Sequence, residues 1–166
     1  LLKDILPYFI DTLWEHNSVY EYIEYLEKKL DIKILQIKSE GMENLALRVK
    51  ALPNPFMRFC THELKVKPAI KFYYESFITK NIDFINITGV RREESQARSG
   101  EECFKIVEQS YNRHKFFVKT LQPLAYWNTQ RVFDYHKEHD IEVNPLYKKG
   151  FSRVGCYPCI LDWEKC

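Results

Sequence analysis

Apolar and polar positions alternate along this chain in short blocks, and the blocks change period. Pro7-Tyr8-Phe9-Ile10-Asp11 is a short apolar run ending on a polar residue, the pattern of a buried strand with a functional tip. Ser18 and Glu21 have the spacing of a capping box. Val19, Ile23, Leu26 and Leu30 then recur at helical spacing, which predicts an amphipathic helix over 18–30. Ile32 to Ile37 predicts a second strand, and strand–helix–strand favours a parallel sheet covered by helices.

Further along, residues 39–57 carry Gly41, Pro53 and Pro55 with weak periodicity and read as an excursion from the core. Pro68 is placed to open a helix running to about Phe77. Asp83 to Thr88 predicts a third strand, and Gly89 begins a polar loop. Cys103 lies beside Phe104 at an expected helix start, and Phe116-Phe117-Val118 is a candidate fourth strand. Asn128 or Thr129 caps a helix through about His139, after which the chain reads as loop. The expected fold is α/β, an open, mostly parallel sheet with helices on both faces. In such sheets ligands sit beyond the C-terminal ends of the strands, where Asp11 and the Gly89 loop fall.

Composition changes this picture little. The chain has 166 residues, 45% hydrophobic and 29% charged, enough for one globular domain over 1–166, with a Cys-bearing loop region over 140–166 inside it. The formal net charge of +2 gives no overall pull on a polyanion, so anion binding must come from local clusters. The apolar runs are too short for a membrane span, and the start has neither the basic region nor the apolar segment of a signal peptide. The chain begins without Met and almost directly in a strand, so an upstream segment is expected. Five Cys without a secretion signal point to the cytoplasm, where paired thiols bind metal or do redox work.

Gly155-Cys156-Tyr157-Pro158-Cys159 is a Cys-x-x-Cys in a turn, a spacing that lets both sulfurs face one metal centre. Cys60 is a candidate third ligand and Cys166 a fourth, while Cys103 reads as a small buried hydrophobe. The pattern leaves an iron–sulfur cluster, a zinc site and a redox pair open. Gly89-Val90-Arg91-Arg92-Glu93-Glu94-Ser95-Gln96-Ala97-Arg98 places three guanidinium groups in eight residues after a strand, with the glycine free to turn sharply. Such planar, permanently charged forks suit phosphate or sulfate oxygens, although Arg–Glu pairs on a solvated loop would give the same composition. Lys65 and Lys67 follow Cys60, and Lys149 and Arg153 lie in a basic, aromatic loop leading to the Cys pair.

Taken in order, these segments resemble the phosphoadenosine-phosphosulfate and adenosine-phosphosulfate reductase family, a branch of the adenine nucleotide α-hydrolase-like, PP-loop enzymes. Phe9-Ile10-Asp11-Thr12 with Glu15 and Tyr20 to Ile23 resembles its second strand and helix. Cys60-Thr61-His62-Glu63-Leu64-Lys65-Val66-Lys67-Pro68 resembles its Cys-Cys-x-x-Arg-Lys-x-x-Pro stretch. Gly89-Val90-Arg91-Arg92 with Ser95 and Arg98 resembles its Gly-x-Arg-Arg-x-x-Ser-x-x-Arg loop. Asn144-Pro145-Leu146-Tyr147 through Gly155-Cys156-Tyr157-Pro158-Cys159 resembles its Pro-Leu … Gly-Cys-x-Pro-Cys ending.

The resemblance implies a thiol-dependent enzyme of sulfur metabolism that reduces an adenylyl sulfate to sulfite, with thioredoxin or glutaredoxin as electron donor. It implies Lys65 and Arg91 as catalytic residues. Substrate contacts would come from Asp11, Gly89, Arg91, Arg92, Ser95, Arg98, Lys149 and Arg153. It further implies a 4Fe-4S cluster, with zinc as the alternative, on Cys60, Cys156, Cys159 and Cys166. Three departures stand out. Thr61 replaces the second Cys of a pair, the family's Glu-Cys-Gly-x-His segment with the nucleophilic Cys is absent, and so is its Ser-Gly-Gly-x-Asp-Ser phosphate loop. They keep open an ATP pyrophosphatase of a sulfur-transfer system, of the DNA phosphorothioation or tRNA thiolation type, with a nucleic-acid or sulfur-carrier partner. A non-catalytic iron–sulfur or zinc module is the third alternative.

Overall fold

The computed structural model describes residues 4–159, so Cys166 lies outside the described residues. The chain divides into two compact units, one running to Ala69 and resuming at Val143, the other formed by Ile70–Glu142.

In the first unit β1 (Tyr8–Asp11) and β2 (Leu35–Lys38) pair in parallel, from Tyr8 opposite Leu35 to Asp11 opposite Lys38. Between them runs α1 (Asn17–Leu30), whose N-cap is His16 and not Ser18 as the capping-box spacing suggests. The His16 ring nitrogen Nδ1 accepts from the Ser18 N–H at 3.1 Å, while Ser18 itself is buried and its carbonyl accepts from Asn144 Nδ2. Val19 and Ile23 of α1 bury with Leu146, joined by Phe9, Ile34, Phe151 and Val154. Each fully buried Leu in such a cluster contributes about 1.5–3 kcal/mol of transfer free energy.

The segment expected to be irregular contains α2 (Met42–Val49), started by Gly41 at φ 84°. Its inward residues Met42 and Leu45 form a second cluster with Leu64, whereas Leu47 and Val49 are exposed and blur the helical pattern. The helix expected to open at Pro68 starts earlier. α3 (Phe59–Thr61) runs through a π turn, His62–Val66, into α4 (Lys67–Ser76), with Pro68 second in that last stretch. A proline inside a helix lacks an N–H and crowds the carbonyl four residues back. The wider π turn accommodates it, and the Lys67 N–H reaches the His62 carbonyl five residues back. A single helical turn, Pro145–Lys148, interrupts the expected C-terminal loop, capped by Asn144 Oδ1 accepting from Leu146 N at 3.0 Å.

The second unit holds β3 (Ile85–Ile87), β4 (Phe104–Tyr111) and β5 (His114–Leu121) in the order β3-β5-β4. β3 and β5 are parallel, while β4 and β5 form an antiparallel hairpin closed by Asn112 and Arg113, both at positive φ. Cys103 therefore precedes a strand, not a helix. Phe116, Val118 and Thr120 of β5 face inward, and Phe117 is exposed. Phe77 and Phe84 stack at 4.5 Å beside Tyr73, and α5 (Thr129–Glu138) is capped by Asn128, as expected. The mostly parallel α/β expectation thus holds pair by pair, with β4 the antiparallel exception. No helix among the described residues is long and apolar enough to cross a membrane.

Candidate functional site

The C-terminal end of β1 is Asp11, 3% exposed. Its Oδ1 accepts from the Leu13 N–H at 2.8 Å and from the Tyr20 hydroxyl at 2.9 Å, so the carboxylate closes the turn that leads into α1. Burial, and then the bond to Asp11, push the Tyr20 hydroxyl up to about 12. Leu13 sits at φ 52°, a left-handed conformation that costs a non-glycine residue about 1–2 kcal/mol. The turn is held against that strain by Asp11 and by the Met42 N–H, which donates to the Thr12 carbonyl at 3.2 Å.

The same turn positions Glu15, a residue that sequence reasoning passed over as a site candidate. Thr12, buried, donates its hydroxyl to Glu15 Oε1 at 2.8 Å, and Glu15 Oε2 is buried without a hydrogen-bond partner among the described residues. Burial raises the Glu15 carboxyl above its ordinary value. The Thr12 hydroxyl and the Lys65 charge act against burial, while Asp11 and Cys159 add to it. In the sequence it is marked by its part in the strand-and-helix resemblance and by a place in the turn before α1, where an acidic residue usually serves the helix dipole.

The C-terminal cysteines come to this turn through the backbone. Glu15 and Cys156 form an isolated antiparallel bridge, and the Tyr157 N–H donates to the Trp14 carbonyl at 2.6 Å. The Tyr157 ring packs edge-on against His16 and Phe151, at 5.3 and 5.8 Å. The neighbouring Cys159 thiol first, and burial second, push Cys156 well above the ordinary thiol range, with Lys65 pulling the other way. Lys65 stands on the π turn and acts on both Glu15 and Cys156. The neighbouring Lys67 instead pairs with Glu63, which that bond holds at about 2.

The thiol set expected to hold a cluster is only partly assembled by the described residues. Cys60 packs with Trp14 and Phe59 against the Met42, Leu45 and Leu64 cluster, and Thr61 is exposed. Among the described residues no group of three or more His, Cys, Asp or Glu side chains is arranged to hold a metal ion. They bring together two sulfurs, half of a four-thiolate cage, so by themselves they do not fit a 4Fe-4S cluster or a closed zinc site. Lys149 and Arg153 are exposed on the loop that carries the two cysteines.

In the second unit the Gly89 loop follows β3 and folds into two short 3₁₀ turns, Arg92–Glu94 and Gln96–Arg98, joined at Ser95. Each guanidinium has a partner inside the unit. Arg91 donates to Thr129 Oγ1 at 3.2 Å and lies 3.5 Å from both Glu93 and Glu94. Arg98 pairs with Glu94. Arg92 donates to the Glu101 carbonyl at 2.5 Å and stacks over the exposed Tyr126 ring at 4.3 Å. Gly89 departs from expectation, because its backbone is not left-handed and an added Cβ would meet only Leu124 Cδ1, at 3.8 Å. The turn therefore does not require glycine there.

The family model described as the phosphoadenosine phosphosulfate reductase domain matches residues 2–162. An adenosine 5'-phosphosulfate reductase of Salinibacter ruber is 28% identical over 96% of this chain and 60% of its own length. An uncharacterized protein of Methanocaldococcus jannaschii is 29% identical over 95% of this chain and 31% of its own. A 37.8 kDa uncharacterized protein of Escherichia phage 186 is 31% identical over 92% and 58%. The chain thus spans 31% to 60% of the length of these relatives. Among solved structures, the phosphoadenylyl-sulfate reductase of Candida auris aligns with a TM-score of 0.63 at 19% identity, over 95% of this chain and 73% of that one. The FMN adenylyltransferase of Candida glabrata aligns with a TM-score of 0.58 at 17% identity, over 90% and 42%. These likenesses show an adenine nucleotide α-hydrolase-like fold.

Proposed function

This chain belongs to the phosphoadenosine phosphosulfate reductase family, and on that premise we propose that it is the nucleotide-handling part of an oxidoreductase that reduces an adenylyl sulfate to sulfite. The observation that carries the reading is the match over residues 2–162, which takes in the Lys65 stretch, the Arg91 loop and the Cys pair in order. The electron donor in this reading is a thiol protein of the thioredoxin or glutaredoxin kind.

The roles follow from charge. Arg91 and Arg98 exchange Glu93 and Glu94, and Arg92 its contacts with the Glu101 carbonyl and the Tyr126 ring, for the sulfate and phosphate oxygens of the substrate. The Ser95 hydroxyl and the Gly89 backbone line the same loop. Lys149 and Arg153 supply further positive charge from the cysteine loop. Lys65 stabilises negative charge developing on the departing nucleotide. Asp11 shapes the turn beside it.

A second reading has one observation in its favour. Thr61 stands where the family's Cys-Cys-x-x-Arg-Lys-x-x-Pro stretch has its second Cys, a departure from the reductase pattern. That favours an ATP pyrophosphatase of a sulfur-transfer system, in which no thiolate attacks the nucleotide. One assay separates the two. Anaerobically purified protein given reduced thioredoxin releases sulfite from an adenylyl sulfate in the first reading. Pyrophosphate from ATP without sulfite release would replace it with the second.

A further inference from the structure

We propose that the turn 54–57, with the end of α2 before it, is a tip by which this chain rests on an anionic lipid surface. The contact is peripheral, and the inference does not depend on the sulfonucleotide reading. Met42 and Leu45 of α2 go to the core, but the apolar residues after them stay outside it. Phe56 is 97% exposed, Leu47 74%, Leu52 73% and Met57 56%. Singly exposed apolar residues are ordinary, whereas so dense a run marks a contact surface. The backbone of the tip is prepared for a setting poor in water. The Asn54 N–H donates to the Met57 carbonyl at 3.2 Å, and the Met57 N–H donates to the Asn54 carbonyl at 3.1 Å. Asn54 Oδ1 accepts from the Phe56 N–H and from the Met57 N–H, both at 2.9 Å. Pro53 and Pro55 carry no N–H at all. Every N–H from 53 to 57 is therefore absent or bonded. The tip can enter the boundary between headgroups and acyl chains without stranding a donor, the cost that keeps ordinary loops out.

Charge selects the kind of surface. Lys50 and Arg58 flank the tip, both exposed and neither in an ion pair among the described residues. The nearby acids are neutralised or distant: Arg48 pairs with Glu40 and Glu63, Lys67 pairs with Glu63, and Glu43 stands at the other end of α2. The tip thus offers apolar side chains between two uncompensated cations, the complement of an apolar layer under anionic headgroups. Two cations are few for the row of phosphate contacts that holds a nucleic-acid strand. A twofold pairing with a second copy would set these like charges against each other.

The test is flotation of the full chain with phosphatidylcholine vesicles, made with and without phosphatidylglycerol. The chain should float with the phosphatidylglycerol vesicles and come off as salt rises. Phe56→Ser should lower the partition coefficient about tenfold or more, the weight of one aromatic side chain in an apolar layer, and leave Tm unchanged. Lys50→Glu combined with Arg58→Glu should abolish the preference for phosphatidylglycerol. Phe117→Ser, which removes another exposed ring, on β5, should leave flotation as it is. In Phe56→Trp binding should persist, and vesicles should move the emission further to the blue than in the parent chain. The proposal is overturned if the chain stays unbound, or if Phe117→Ser weakens flotation as much as Phe56→Ser does. Self-association, or retention of a single-stranded oligonucleotide, that Phe56→Ser abolishes in a chain that ignores vesicles would give the tip another partner and overturn it as well.

Discussion

The thiol corner beside β1 and the arginine loop after β3 both follow the C-terminal end of a parallel strand, and they store charge in opposite ways. In the loop every guanidinium has a partner, and the partners are mostly exposed. In the corner Glu15 Oε2 is buried without a hydrogen-bond partner among the described residues, the Cys156 thiol is pushed up, and Lys65 offsets the negative side only in part. Exposed pairs cost little to open, whereas a buried imbalance is relieved only by a new bond or a moved proton. An incoming anion could thus displace the loop's partners at little cost, whereas the corner keeps its imbalance until a proton or a bond moves.

Removing the corner's cation should do the most damage. Lys65→Met is expected to lower sulfite release about 100-fold or more, the scale of losing one charge-stabilising donor, with little change in Tm. Full activity in that variant would erase the contrast between the two regions. Next come Arg91→Ala and Arg98→Ala, each expected to weaken binding of an anionic adenylyl nucleotide by about 1.5–3 kcal/mol, read by calorimetry. For Arg98, whose side chain is 44% exposed, the effect on folding stability should stay within about 0.5 kcal/mol. Unchanged affinity would return the loop to a solvated Arg–Glu surface.

The pH dependence of stability sharpens the comparison further. Glu15 has its carboxyl raised in the fold, so at pH values above 4.5 the folded state holds a proton that the unfolded state has lost. Its contribution is therefore full below pH 4.5 and declines as the pH rises through the folded value. Glu63, held at about 2, works the other way: its contribution is present above 4.5 and is lost as the pH falls towards 2. Glu15→Gln should flatten the decline of Tm above pH 4.5 and leave the acid limb unchanged. A parallel shift of the whole curve would show that Glu15 acts by packing alone. The smallest effect belongs to Leu13→Gly. It relieves about 1–2 kcal/mol of left-handed strain and returns about 0.5–1 of it as glycine entropy. A small rise in the urea midpoint is the expected outcome.

Much of the scaffold was legible because strong period and strong caps coincide. Residues 18–30 carry a clean helical stripe, and Asn128 caps its helix as the spacing indicates. β4 escaped because both of its faces carry apolar residues: Phe104 and Ile106 point outward and are exposed, while Val107 and Tyr111 lie on the other side. That hides the alternation on which strand prediction rests. The Asn112-Arg113 turn was the remaining clue. At the candidate site, Lys65, the arginines and the Cys pair could be named from composition and order. Glu15 could not, because its significance comes from a backbone bridge to a residue 141 positions away, from Glu15 to Cys156, and from a buried oxygen. Neither leaves a local mark in sequence.

The π turn at His62–Val66 acts as a phase shifter. Adding one residue to a helix rotates everything beyond it by about 100°. Phe59 and Cys60, before the turn, are therefore aimed independently of the residues that follow it. Lys65 lies where that angular adjustment is made. A one-residue deletion in this turn would leave helix content nearly unchanged and swing the lysine off its bearing, so this stretch should tolerate substitutions far better than changes of length.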